Sequence, residues 1–315
     1  MNVLVTGADG FIARKLVARL LSGALDTPGD PVSRLTLLDQ RFGGPAPDRR
    51  VRLVEGDLSS APTLRTATEQ APDVIFHLAS IPGGAATKNF ELGLRVNLLA
   101  TVALLEALRW QGTKPRVVFA STIGVYGVPL PEIIDEDTLP EPSMSYGAHK
   151  LIGEVLMTDY TLRGFIDGRS LRLPGIVSRP PQPSGMLSAF MSDMIRELWA
   201  GREFTCPVGA EGRAWWMSRP CVVDNLLHAA SIAPGIAASR RVWLLPVMHA
   251  SMEDVVSAIA RRRGDEVRRR ITYQRNDALQ AQFASMPPLR CPQALAAGFR
   301  NDGTLESLVE RALEE

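Results

Sequence analysis

Cysteine is scarce in this 315-residue chain: Cys206, Cys221 and Cys291 are odd in number and widely separated. Without Cys-x-x-Cys spacing they argue against a disulfide framework or a zinc site and read as reduced thiols; no metal is expected. A charge excess of either sign is also missing, since 35 Lys and Arg face 34 Asp and Glu for a net charge of +1. Nothing in that total draws the chain to nucleic acid or to an anionic membrane, and neither is expected as a partner. The arginines clustered between 261 and 270 read as a solvated face with Asp265 and Glu266 interleaved. No apolar run approaches the ~18 residues of a membrane span. The opening MNVLVTGADG reaches turn residues after five positions, where a secretory leader needs a basic stretch and a longer apolar run. A cytoplasmic protein is expected.

What is present is material for a large core: 45% of residues are apolar and the mean hydropathy is +0.02. Short β-branched runs alternate with helical patterns, the signature of βαβ units and a parallel sheet covered on both faces. Strands are expected at 2–6, 34–39, 49–54, 73–78, 116–120 and 169–173, and helices at 11–21, 61–70, 89–110 and 143–162. The helix 89–110 is apolar nearly all round and is expected to be buried. Beyond Pro174 prolines crowd and the alternation breaks, although 220–232 and 241–245 again read as a helix and a strand returning to the sheet. The fold class expected is therefore α/β, a Rossmann-type doubly wound parallel sheet with a smaller discontinuous region. Residues 1–173 form the first part, with return segments at about 220–245; residues 174–219 and 246–315 form the second.

Three motifs point to nucleotide chemistry. Gly7-x-x-Gly10-x-x-Ala13 lies between the first strand and its helix, where small residues let a pyrophosphate approach the helix amino terminus. Asp39 ends the second strand, and a carboxylate there accepts the adenosine ribose hydroxyls and repels a 2′-phosphate, which favours NAD. It stands thirty-two residues after Gly7, the excess over the usual ~20 being taken up by a polar segment. Asp57, in Gly56-Asp57-Leu58, either meets the adenine or caps the following helix. His77 ends the fourth strand and reads as a packed, hydrogen-bonded residue without a chemical role.

The strongest constellation is Tyr146-x-x-x-Lys150, which on a helix puts both side chains on one face. A phenol with a pKa of ~10 is a poor base at neutral pH, but a neighbouring ammonium favours the phenolate. Ser121 and Thr122, just past the fifth strand, present hydroxyls at the same carboxyl edge of the sheet.

Taken in order, Thr-Gly-x-x-Gly-x-x-Ala, Asp39, Gly-Asp-Leu, His-Leu-Ala-Ser, Ser-Thr-x-x-Val-Tyr-Gly and Tyr-x-x-x-Lys resemble the extended short-chain dehydrogenase/reductase family across essentially the whole chain. The resemblance implies bound NAD, a homodimer, and a catalytic group of Tyr146, Lys150 and Thr122, with Ser121 beside it. It also implies cofactor contacts from Gly7, Gly10, Phe11, Ile12, Asp39, Asp57, Leu58, Leu78, Ala79, Ser80, Asn97, Pro174, Ile176 and Val177. For Asn97 a tying role between helix and strand is the preferred reading. Nucleotide-sugar dehydratases of this family carry Asp-Glu after the catalytic threonine; Ile123 and Gly124 stand there, so dehydration lacks its machinery. The stretches 172–180, 183–188 and 215–220 resemble a subgroup that oxidises a small sugar acid with NAD. In that subgroup Ser178, Arg179 or Arg213, with Thr122 and Tyr146, would contact the substrate. A nucleotide-sugar epimerase with tightly held NAD and a non-catalytic NAD-sensing protein are the alternatives.

Overall fold

The computed structural model describes residues 1–25, 30–179, 188–233, 235 and 240–314. Contacts divide the chain into two compact units: Met1–Tyr126, Pro140–Arg172 and Val223–Trp243 form the first, and Gly127–Leu139, Leu173–Val222 and Leu244–Glu315 the second.

In the first unit, runs of buried apolar residues form β1 (Asn2–Thr6), β2 (Arg34–Asp39), β3 (Val51–Glu55), β4 (Val74–His77), β5 (Arg116–Thr122) and β6 (Asp167–Leu173). The strand Val242–Leu244 completes a seven-stranded sheet in the order Val242–Leu244, β6, β5, β4, β1, β2, β3. The pairings β1 with β2, β1 with β4, β2 with β3 and β4 with β5 are all parallel. The crossovers carry α1 (Phe11–Leu21), α2 (Ala61–Thr68), α3 (Gly83–Lys88), α4 (Phe90–Gly93), α5 (Ala100–Gln111) and α6 (Ser145–Leu162). Leu4, Ile75, Val117 and Phe119 of the sheet pack with Leu104, Leu105 and Leu108 of α5 in one core. Leu, Ile and Val on both faces of these strands are what a doubly covered parallel sheet requires.

The helix expected over 89–110 runs without a gap from Phe90 to Gln111, but it is not α-helical throughout. Residues Leu94–Leu99 form a π-helical segment between α4 and α5. Its i→i+5 bonding rotates the chain out of register with the 3.6 repeat, so the apolar residues do not share one buried stripe. Phe90, Leu99 and Trp110 are exposed.

The second unit has its own core around Trp216, Met194, Met252, Val256 and Leu308. A three-stranded sheet orders Met248–Ser251, Arg213–Ser218 and Gly175–Val177, and Phe204–Cys206 pairs in parallel with Ile271–Tyr273. Residues Gly127–Leu139 join this unit through long-range contacts: Ile134 bridges to Leu289, and the buried Glu136 carboxylate accepts the Gln293 and Ala294 amides. Arg261, Arg262 and Arg268 pair with Glu306, Glu310 and Glu253, so the arginine-rich stretch meets acids from other elements more than its own. The prolines at 180, 181 and 183 and the small residues 184–187 lie outside the described residues. Among the described residues, no helix is long and apolar enough to cross a membrane.

Candidate active site

At the end of β1 the chain turns sharply. Gly7 has φ +68°, a left-handed conformation that favours glycine, and a Cβ there would fall 2.7 Å from the Ala79 Cα. Gly10 precedes α1 and has no side chain to cap it, and the positive dipole end of this eleven-residue helix favours an anion. The geometry fits the pyrophosphate of a dinucleotide. Asp39 lies beside this turn; its carboxylate accepts the Asp9 amide at 2.9 Å and the Gln40 amide at 2.7 Å. Asp9 is itself held by Arg14 at 2.9 Å.

Asp57 is not the cap of α2, a position that Ser60 fills. Its carboxylate accepts the Ser59 amide and hydroxyl, with Arg95 3.8 Å away. After β4, Ala79 donates its amide to the Thr6 hydroxyl at 3.3 Å. Asn97 sits in the π-helical segment, buried, where its carboxamide accepts the Ile81 amide at 2.7 Å and donates to the Ile81 carbonyl at 3.1 Å. Ser80 also reaches Asn97, at 3.3 Å. The tying role is therefore what its side chain performs.

His77 links β1 to the same region. Thr101 donates to the Asn97 carbonyl, so it accepts from His77 Nε2, and Thr6 donates to Nδ1. Burial first, and then the nearby Lys150 charge, push this imidazole down to about 3. It is a neutral strut.

The first residues of α6 carry Tyr146 and Lys150 on one face. Lys150 is buried; its Nζ lies 4.8 Å from the centre of the Phe119 ring and 6.0 Å from that of Tyr146. Burial lowers this ammonium to about 7. Close approach here depends on Gly147, where a Cβ would lie 2.0 Å from the Gly124 carbonyl oxygen; one on Gly83 would make ordinary contact with Tyr146 at 3.6 Å.

Thr122 ends β5, and its Oγ1 accepts the Gly124 amide at 3.0 Å. With that acceptor site used, the hydroxyl proton is free to be donated. Ser121 differs. It is buried, and its hydroxyl donates to Glu154 at 2.5 Å. Of the two adjacent hydroxyls, the structure commits Ser121 to an internal bond.

Pro174, Ile176, Val177, Ser178, Arg179 and Arg213 belong to the second unit. There Ser178 is buried and donates to the Ser192 carbonyl at 3.1 Å, while Arg179 accepts from Arg196 through its carbonyl. Arg213 stands half-exposed, 3.6 Å from Asp254. Glu154, Arg172 and Tyr126 form a buried cluster not anticipated as functional. A carboxylate at four residues beyond Lys150, on the inward face of a largely apolar helix, was the available signal.

A glycine turn beneath a helix terminus, an acid closing the second strand, and a Tyr/Lys pair beside a strand-end threonine define a Rossmann-type oxidoreductase using a dinucleotide. Residues 3–217 match the NAD dependent epimerase/dehydratase family. Over its full length the chain is 40% identical to a D-erythronate dehydrogenase of Cupriavidus necator, spanning 98% of that protein. It is 32% identical, again over its full length, to a D-erythronate dehydrogenase of Haemophilus influenzae, spanning 99% of it. A crystal structure described as a nucleoside-diphosphate-sugar epimerase from Agrobacterium tumefaciens shares the fold with a TM-score of 0.90 at 35% identity, over 98% of this chain and 92% of that one. The chain belongs to the NAD dependent epimerase/dehydratase family. It is an NAD-dependent dehydrogenase of the extended short-chain type.

Proposed function

We propose that the chain oxidises a small sugar acid, D-erythronate to 2-oxo-D-erythronate, with Tyr146 as general base and NAD as acceptor. The carrying observation is Tyr146 and Lys150 on one helix face, in a chain resembling two D-erythronate dehydrogenases from end to end. When bound, NAD supplies a hydride acceptor. Thr122 donates its hydroxyl proton in a hydrogen bond to the substrate alcohol oxygen. Tyr146 removes the alcohol proton while the carbon-bound hydrogen leaves as hydride, so the carbinol is oxidised to a ketone and no atom is left unassigned. Lys150 holds the cofactor ribose and stabilises the phenolate. The glycine turn from Gly7 to Gly10, with Phe11 and Ile12, cradles the pyrophosphate; Asp39 takes the adenosine ribose, and Asp57 and Leu58 the adenine. Leu78, Ala79 and Ser80, steadied by Asn97, with Pro174, Ile176 and Val177, complete the cofactor contacts. A substrate carboxylate is met by Arg179 or Arg213. The enzyme works as a homodimer.

The similarity to a described nucleoside-diphosphate-sugar epimerase favours a second reading, transient oxidation of a nucleotide sugar with the hydride returned. Absorbance at the NADH band separates the two. Net NADH from D-erythronate and none from UDP-glucose supports the dehydrogenase; tightly held NAD, no net NADH and interconversion of UDP-glucose overturn it.

A further inference from the structure

The segment carrying Thr122 is short, and both of its ends meet the same buried ion pair. At one end Ser121 donates to Glu154 Oε1 at 2.5 Å. At the other, Tyr126 accepts from Arg172 Nη1 at 2.8 Å. Arg172 and Glu154 then join each other through two bonds, Nε to Oε1 at 3.0 Å and Nη2 to Oε2 at 2.8 Å. Thr122 and the tight turn Ile123–Val125 lie between these anchors. Glu154 and Arg172 are almost fully enclosed, at 2% and 8% exposure.

Burying two opposite charges is a poor route to stability, because desolvation offsets most of the attraction unless every bond is made. What a bidentate guanidinium and carboxylate offer in addition is fixed geometry. Glu154 follows Lys150 by four residues and Tyr146 by eight, so base, cation and anchor occupy one face of α6. Backbone contact supports the same junction, since Gly147 lies against the Gly124 carbonyl.

We propose that Glu154 and Arg172 are positioning residues, a clamp that holds residues 121–126 at both ends against α6 and so sets the Thr122 hydroxyl relative to Tyr146. The inference rests on the roles given above to Thr122 and Tyr146. Neither clamp residue touches substrate. A displacement of about 1 Å at Thr122 is enough to cost up to ~100-fold in rate.

Replacing Glu154 strands a buried arginine and risks the fold, so the test uses Ser121→Ala and Tyr126→Phe, singly and together, which leave the ion pair intact. Hydrogen exchange of the peptide covering 119–127, without substrate, is read first. Exchange about tenfold faster in the double variant, with β1 and α1 unchanged, is the expected result. Unchanged exchange overturns the clamp. Turnover of D-erythronate with NAD is read second: kcat is expected to fall by ~10–100-fold with the KM for NAD unmoved. In a Thr122→Ala background the same changes are expected to cost nothing further, and an equal loss there overturns the positioning role. A wild-type protein that makes no NADH refutes the functional reading, and the exchange result then decides the clamp alone.

Discussion

Lys150 follows Tyr146 by one helical turn, and its ammonium lies 6.0 Å from the centre of the phenol ring and 4.8 Å from that of Phe119. Among the described residues this buried cation meets no carboxylate, and its field favours a negative phenol oxygen nearby. Tyr146→Phe removes the base and leaves the glycine turn untouched. Turnover is expected to fall by about 10²–10⁴-fold while NAD affinity, measured by calorimetry, stays within a few-fold. Turnover close to wild type in that variant would falsify the mechanism.

The same burial makes the cofactor-free protein sensitive to pH. Lys150 is lowered from 10.5 to about 7 and His77 from 6.5 to about 3, both mainly by desolvation. Between its folded and unfolded values each group is neutral when folded and protonated when unfolded, so the unfolded chain holds the extra proton. Stability therefore rises with pH from 7 to 10.5 through Lys150 and falls as pH drops from 6.5 to 3 through His77. Each group contributes a slope of up to about 1.4 kcal/mol per pH unit. Urea unfolding of Lys150→Met is expected to lose the alkaline slope; a slope identical to wild type would place the proton elsewhere.

Much of the first unit is legible because buried parallel strands read as apolar runs and because Tyr146-x-x-x-Lys150 needs only helical spacing. Other features depend on geometry that sequence does not carry. Ser121 and Thr122 are chemically alike neighbours, yet successive strand residues face opposite ways, and only the fold reveals that Ser121 meets Glu154. The π-helical turn around Asn97 interrupts a pattern that continues unbroken in the residues themselves. Gly127–Leu139 joins the second unit through Glu136 and the amides of 293 and 294, a pairing across more than 150 positions.

Asp39 has two duties, holding the Asp9 amide in the glycine turn and, in the proposed complex, the adenosine ribose. Asp39→Asn keeps an acceptor but removes the charge that repels a 2′-phosphate. The KM for NAD is expected to rise by about tenfold and the relative use of NADP to increase. An unaltered NAD to NADP ratio would show that cofactor choice lies in other residues.

Gly147 tests whether α6 must touch the 123–125 turn. A methyl there would sit 2.0 Å from the Gly124 carbonyl oxygen, a backbone atom that cannot swing aside. Gly147→Ala is expected to lose about 3 kcal/mol or more of stability and nearly all turnover. Gly43→Ala, where a Cβ meets nothing within 4 Å, is the control. Equal thermal midpoints for the two variants would mean that the helix shifts without cost.

The far side of α6 carries exposed apolar residues beside the Asp159–Arg163 ion pair. Ile152, Val155 and Leu162 are 43%, 62% and 81% exposed, on the face opposite Tyr146, Lys150 and Glu154. Leu99 and Trp110, from the neighbouring π-helical segment and α5, add further exposed apolar area. Large apolar side chains exposed together on neighbouring helices are a feature of association sites, and a second copy of the chain is the occupant expected for a homodimer. Placing charge in the middle of that face opposes association without touching the catalytic face. Val155→Glu with Leu162→Glu is therefore expected to convert a dimer into a 34.3 kDa monomer in size-exclusion chromatography with light scattering. A wild-type protein already eluting at the monomer mass, at micromolar concentration, would refute the assignment of this face.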